Sequence, residues 1–258
     1  MRSIVWLVLV SCGHVNATHD AAPTGELDAS DVPADAVIDA PPPIIDDLVA
    51  WYTMDAEPAG TAIDASGHGR AATCIAGTQG HCPTYNQNGR IAGSNVFDGN
   101  QFLRMAAAPE LQLTHGFTIS IWLKPNGGGC FINQLVGTES HNSWQACLRD
   151  DGAMSFRTAD QVATHVLMST KNLTLGDWNH IALWWNGSIK RIYLNGTGEG
   201  TFSPIAVDFS GNQDLMIGSD IDDGRPFGQF VGEIDDVRIY DHPLLDREIE
   251  ALQSALGG

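Results

Sequence analysis

The run Phe117-Thr118-Ile119-Ser120-Ile121-Trp122-Leu123-Lys124 alternates without a break. Successive side chains of a strand point to opposite faces, so this period of two commits Phe117, Ile119, Ile121 and Leu123 to one buried face and Trp122 to the other. From Leu48 onward, further short runs of this kind are separated by Gly, Asn and Asp turns, and the 28 glycines fit many such turns. Trp178 to Asn186 and Lys190 to Asn195 read as two antiparallel strands joined through Asn186-Gly187, a pair that tolerates positive φ. Within them Ile181, Leu183 and Trp185 oppose His180 and Trp184, which sets Trp122, Trp184, Arg191 and Tyr193 on one sheet surface. Asp246 to Leu256 carries Ile249, Leu252 and Leu256 on one helical stripe, with acids early and Gly257 after it, and predicts a short closing helix.

Hydrophobic residues make up 43% of the 258 and charged residues only 17%, a globular balance. The N-terminal part departs from it. Thr18 to Asp47 is built largely from Ala, Asp and Pro, and between Gly13 and Asp47 there are eight acids and no Lys or Arg. Such a segment lacks the apolar area to offset its ordering entropy, so 13–47 is expected to be a disordered spacer, with a partner-binding acidic tail as the alternative. The formal net charge of −18 repels phosphate backbones and argues against a nucleic-acid partner.

Met1-Arg2 is a minimal positive start, and the apolar run Ile4 to Val10 is far too short to span a bilayer. It ends in Leu9-Val10-Ser11-Cys12, which resembles the bacterial lipobox. That resemblance implies a signal peptide of residues 1–12 and lipidation of Cys12, hence export to the cell envelope with a membrane contact through the acyl chains alone. A plain secretory signal cleaved further on is the other reading. With Cys12 set aside, Cys74, Cys82, Cys130 and Cys147 remain, and four cysteines allow three pairings. Cys74 with Cys82 and Cys130 with Cys147 are favoured, because each pair flanks a short segment that can fold back. Structural zinc fails on spacing, and disulfides imply an oxidising compartment.

The order of motifs from Leu48 to Leu256 resembles the laminin-G-like jelly-roll family of the concanavalin A-like lectins and glucanases. The resemblance rests on Leu48-Val49-Ala50-Trp51-Tyr52-Thr53-Met54-Asp55, Asp64-Ala65-Ser66-Gly67-His68-Gly69, Val96-Phe97-Asp98-Gly99 and Phe117 to Trp122. It continues through Trp178-Asn179-His180-Ile181-Ala182, Ile192-Tyr193-Leu194-Asn195-Gly196 and Phe230 to Tyr240. It implies an all-β sandwich of two antiparallel sheets over 48–258, with binding on a sheet face or at the rim loops. It also implies a structural calcium ion at the Asp64 turn, with Asp235 or Asp236 as a second carboxylate. The alternative is that Asp64 and Ser66 only bond their own backbone in an Asx-type turn.

Retaining glucanases of this superfamily carry Glu-x-Asp-x-Glu on one strand. Here Glu233-Ile234-Asp235 supplies the first half, but the partner position, 237 or with a bulge 238, holds Val237 or Arg238. Glu233 therefore reads as a surface or turn residue before a family-type strand. No Ser, His and Asp grouping stands out, and Gly127-Gly128-Gly129 lacks the Lys of a phosphate loop. The expected function is non-catalytic recognition or adhesion, with a glycan or protein ligand. Trp122, Trp184, Arg191 and Tyr193 form the candidate sugar platform, and Trp144, in the loop-rich stretch between Cys130 and Cys147, is a second candidate. The alternatives are a glycoside hydrolase with an atypical site and a structural component of the envelope.

Overall fold

Alternation dominates the computed structural model, which describes residues 47–55, 61–74, 82–135, 142–202, 206–211, 213–222 and 225–254. The lipobox with Cys12, and the 13–47 spacer except Asp47, lie outside the described residues, as does Leu256. The first strands are β1 (Leu48–Tyr52), β2 (Thr61–Ala62), β3 (Ala72–Thr73), β4 (Thr84–Ile91), β5 (Gly93–Asp98) and β6 (Leu103–Met105). Next come β7 (Phe117–Pro125), β8 (Gly129–Leu135), β9 (Asn142–Leu148), β10 (Met154–Ala159), β11 (Thr164–Met168) and β12 (Asn179–Trp185). They are followed by β13 (Lys190–Leu194), β14 (Thr197–Phe202), β15 (Leu215–Ile217), β16 (Asp220–Asp222), β17 (Arg225–Phe227), β18 (Val231–Tyr240) and the helix α1 (Asp246–Ser254).

Two antiparallel sheets result. The first runs β14-β13-β12-β7-β18-β5-β4, with β1 added to β18, and the second runs β11-β10-β9-β8-β15-β6-β3-β2. Strand β18 takes β5 along Val231–Ile234 and β1 along the stretch that ends at Tyr240. Its register against β7 shifts between Asp235 and Arg238, a bulge in which Asp236 adopts φ 44°. The hairpin from β12 to β13 closes through Asn186–Ile189, but only Gly187 takes positive φ there. Asn186 instead accepts the N–H groups of Ser188 and Ile189 on Oδ1, so the turn is longer than the Asn-Gly pair alone predicts.

The predicted inward row of β7 is the centre of the core, since Phe117, Ile119, Ile121 and Leu123 are fully buried. The Phe117 ring meets Trp144 at 5.5 Å, Trp185 at 5.7 Å and Phe156 at 6.2 Å. Trp144 is therefore a correction to the sequence reading. It lies on β9, not in a loop, is fully buried, and its Nε1 donates to Gln134 Oε1 at 3.0 Å. A ring closed off between the sheets offers no face to a ligand. Between the sheets also lies Lys190, whose Nζ donates to the carbonyls of Phe156 and His165 and to Thr158 Oγ1. Burial pushes its pKa down to about 7.

Helix α1 stands on the outer face of the first sheet. Ile249 and Leu252 pack there with Leu48, Ala182, Tyr193, Tyr240 and Leu244. Glu248 reaches back to the N–H of Leu245 at 2.7 Å, half of a capping box, and acids occupy the first turn where the helix dipole favours them. Both favoured disulfides, Cys74–Cys82 and Cys130–Cys147, are present. Such bonds form and persist in oxidising compartments, which places the chain in the periplasm or outside the cell. Among the described residues no helix is long and apolar enough to cross a membrane.

Candidate functional site

The predicted aromatic row exists but is covered. Trp122 stands opposite His180, and Trp184 opposite Arg191, on the outer face of the first sheet. Trp184 Nε1 donates to the Leu244 carbonyl at 2.9 Å, and the Tyr193 hydroxyl donates to Asp246 Oδ1 at 2.7 Å, so the segment ending in α1 sits on both rings. The Arg90 guanidinium lies 4.4 Å from the centre of the Trp122 ring, and that of Arg191 lies 5.1 Å from Trp184. Trp122 and Tyr193 are buried in consequence. Burying apolar ring area under a helix is favourable by roughly 25 cal/mol per Å², and the same burial removes the face a sugar would stack on. Trp122, Trp184, Arg191 and Tyr193 are thus not an open platform.

The three carboxylates assigned to calcium are engaged by donors. Asp64 Oδ1 accepts from Trp51 N, Ser66 N and Ser66 Oγ, and its Oδ2 accepts from Arg70 N at 2.9 Å. Those bonds hold its pKa below the usual carboxylate value, against the opposing effect of partial burial. Asp236 Oδ1 accepts from Trp51 Nε1 at 2.6 Å and from Arg238 Nε at 3.0 Å. Asp235 Oδ2 accepts the N–H groups of Arg90 and Ile91 at 2.7 and 2.8 Å. N–H and O–H groups aimed at the oxygens occupy the lone pairs a cation needs, and calcium takes 6–8 oxygen ligands. Among the described residues no group of three or more metal-ligating side chains gathers. These residues do not fit a shared calcium ion, and the Asp64 turn has the geometry of the Asx-type alternative.

The incomplete glucanase strand is now concrete. The bulge at Asp236 turns Val237 into the core and leaves Arg238 at the outward position, ion-paired to Asp236 and 4.5 Å from the Trp51 ring centre. Glu233 is not the surface or turn residue the sequence suggested. It lies buried within β18, accepting from Asn86 Nδ2, Ser94 Oγ and Lys124 Nζ, because β5 and the curled β4 cover this end of the sheet. Desolvation opposes its charge, but those three donors keep its pKa low.

Asp235 behaves oppositely. Its Oδ1 is buried with no partner, and desolvation, reinforced by Asp236 and Asp55, pushes the pKa up to about 8. The folded chain therefore retains this proton up to about pH 8, whereas the unfolded chain loses it near 3.8. The stability linked to that proton is full below the unfolded value and is lost as pH rises through the folded one. Asp235→Asn keeps an acceptor for the two N–H groups and cannot ionise. Urea midpoints measured from pH 4 to 9 should show the variant gaining on the parent as pH rises; parallel profiles would refute the buried acid.

An accessible site lies instead on the outer face of the second sheet. Strands β9 and β10 alternate, so Trp144, Ala146, Met154 and Phe156 enter the core while Gln145, Ser155 and Arg157 point outward. Across the register Arg157 stands opposite Gln145 on one side and Val166 on the other. The hairpin of β16 and β17 and the turn at Gly127–Gly129 rise beside this surface and enclose a cleft of ≈ 940 Å³. Gly129 is held at φ 122° against the 228–231 segment, where a Cβ would meet the Gln229 carbonyl oxygen at 2.2 Å. Only glycine lets the two walls approach so closely.

The cleft floor is polar and ordered. Gln145, buried, donates through Nε2 to Asp220 Oδ2, and the N–H of Ile221 donates to Asp220 Oδ1 at 2.8 Å. Asp150 Oδ1 accepts the Gly128 N–H at 2.9 Å at one rim. At the other stands Phe227, a lining residue that is 61% exposed. An exposed ring beside a buried amide and carboxylates is an amphipathic surface. Sequence reasoning missed this group; the signal that could have found part of it is the alternation Met154-Ser155-Phe156-Arg157, which sets Ser155 and Arg157 on one face. Which outward face stays open depends on the hairpin and on α1, both distant in sequence.

The chain is similar in structure to domain 4 of AbnA, a GH43 extracellular arabinanase from Geobacillus stearothermophilus solved in complex with arabinotriose. That likeness has TM-score 0.63 at 20% identity and covers 80% of this chain and 98% of that one. The binding domain of Paraclostridial Mosquitocidal Protein 1 aligns with TM-score 0.63 at 18% identity over 81% of this chain and 52% of that one. The binding domain of botulinum neurotoxin serotype G gives TM-score 0.61 at 14% identity over 80% and 50%. The chain thus spans about half the length of the toxin binding domains, and at these identities the likeness shows the fold. No curated protein matches the chain in sequence. The family model Laminin_G_3, described as the concanavalin A-like lectin/glucanases superfamily, matches residues 97–250. With more than half its length matched and both sheets in place, the chain belongs to the concanavalin A-like lectin/glucanases superfamily.

Proposed function

We propose that the chain is a non-catalytic recognition module that binds carbohydrate in the cleft of the second sheet. The observation that carries this reading is the juxtaposition of the exposed Phe227 ring with the buried Gln145–Asp220 pair in a cleft of ≈ 940 Å³. Sugars present an apolar ring face and a rim of hydroxyls, and an aromatic ring beside polar side chains matches both. The arabinanase domain similar to this chain was solved with arabinotriose, which supports a sugar as the ligand class. Catalysis is not part of the proposal, because the outward position after Glu233 and Asp235 holds Arg238, and Asp235 is buried. A glycan array followed by calorimetry tests it. Phe227→Ala is expected to weaken the best glycan about tenfold, about 1.4 kcal/mol, without changing the unfolding midpoint. A glycan that binds both proteins equally would move the site elsewhere.

We further propose that Cys12 carries the lipid of an envelope lipoprotein, with 13–47 as the spacer that holds the sandwich away from the membrane. Two acyl chains anchor stably where one does not. Metabolic labelling with a fatty acid should mark the parent and not Cys12→Ala; an unlabelled parent would remove the anchor.

A further inference from the structure

The chain has 31 acids against 13 lysines and arginines, so what its arginines face inside a cleft bears on the charge of the ligand that cleft takes. Two arginines line the cleft, Arg149 and Arg157, and Arg149 meets Asp151 at 3.5 Å. Arg157 lines the cleft, is exposed, and forms no ion pair within the described residues, although Asp220 and Asp222 line the same cleft. Asp220 is held by Gln145 and by the Ile221 N–H, which keeps its carboxylate on the hairpin side.

A guanidinium presents a planar fork of donors that matches a carboxylate through two parallel hydrogen bonds. Resting on the carbohydrate reading above, we infer that the cleft selects a sugar bearing one carboxylate, a uronate or sialate, with the acid on Arg157 and the ring toward Phe227. The rim limits the charge the ligand carries. Asp150, Asp151 and Asp222 line the same cleft, and the chain as a whole is strongly acidic. Like charges set against one another across an interface oppose binding, and screening acts over about 8 Å at physiological ionic strength. One carboxylate placed on Arg157 is accommodated; its neighbours along a polyanion would face the aspartates. The ligand class is therefore an isolated acidic sugar within an otherwise uncharged glycan.

The test uses acid-capped oligosaccharides, each beside its uncharged parent, together with polygalacturonate as the polyanion, titrated into the full chain and into Arg157→Gln and Arg157→Lys. The acid-capped member should bind at least about tenfold more tightly than its parent, weaken as salt is raised, and lose that advantage in Arg157→Gln while Arg157→Lys keeps part of it. Both variants should unfold at the parent's midpoint, since the side chain is exposed. Equal binding of capped and uncapped sugars, with Phe227→Ala still damaging, would overturn the acid preference and leave the carbohydrate reading standing. Polygalacturonate binding more tightly than the capped sugars would overturn the single-charge argument. No binding of any glycan would remove both readings together.

Discussion

Trp144→Ala should destabilise the chain by about 3–5 kcal/mol and leave the affinity of the folded fraction for its ligand unchanged. The indole is fully buried, it meets Phe117 at 5.5 Å, and its Nε1 is bonded to Gln134 Oε1. Truncation removes its contacts with the ring cluster, leaves a cavity between the sheets, and strands Gln134 Oε1 without a donor. Trp144→Phe should recover most of the volume but not the hydrogen bond, and so fall between the two. Chemical denaturation of the three proteins measures this. A loss below about 1 kcal/mol for alanine, or a selective loss of binding, would return Trp144 to the surface role its sequence position first suggested.

The second large effect is expected at Asp236. Its carboxylate is the partner of Arg238, and both side chains are at least nine-tenths buried. Removing one member of a buried pair leaves the other as an uncompensated charge, at a cost of about 3–5 kcal/mol. In Asp236→Ala the Trp51 indole N–H also loses its acceptor, and alanine inherits a φ of 44° that it tolerates poorly. Asp236→Asn retains an acceptor and accepts the left-handed conformation, so its loss should be clearly smaller. Equal losses in the two would mean that charge, not the bulge geometry, carries the whole effect; a loss near zero in both would mean the pair is solvated.

These residues also separate what the sequence carried from what it did not. Alternation at Phe117–Pro125 named the inward row correctly, because a strand side chain has only two directions. The bulge entered the sequence reading only as the condition that would make 238 the partner position, and the structure places the register shift between Asp235 and Arg238. The disulfide pairs followed from short spacings that close small loops. Glu233 was misjudged because nothing local says that β4 and β5, more than 130 residues earlier, supply Asn86 and Ser94 to its carboxylate. The Asp64 turn left calcium and an Asx-type turn both open, because the donors that fill it come partly from Trp51 and Arg70, outside the turn's own pattern.

Sequence by itself determined the all-β class, the inward row of β7, which cysteine pairs were favoured and that positions 237 and 238 hold no carboxylate. These depend on local period and spacing. Only the tertiary structure decided which outward face is free. The first sheet carries the better aromatic row, but α1 and Arg90 cover it, while the β16–β17 hairpin leaves a polar cleft open on the second. Strand parity states which way a side chain points; what meets it there is set by contacts between segments far apart in the chain, which no local pattern encodes.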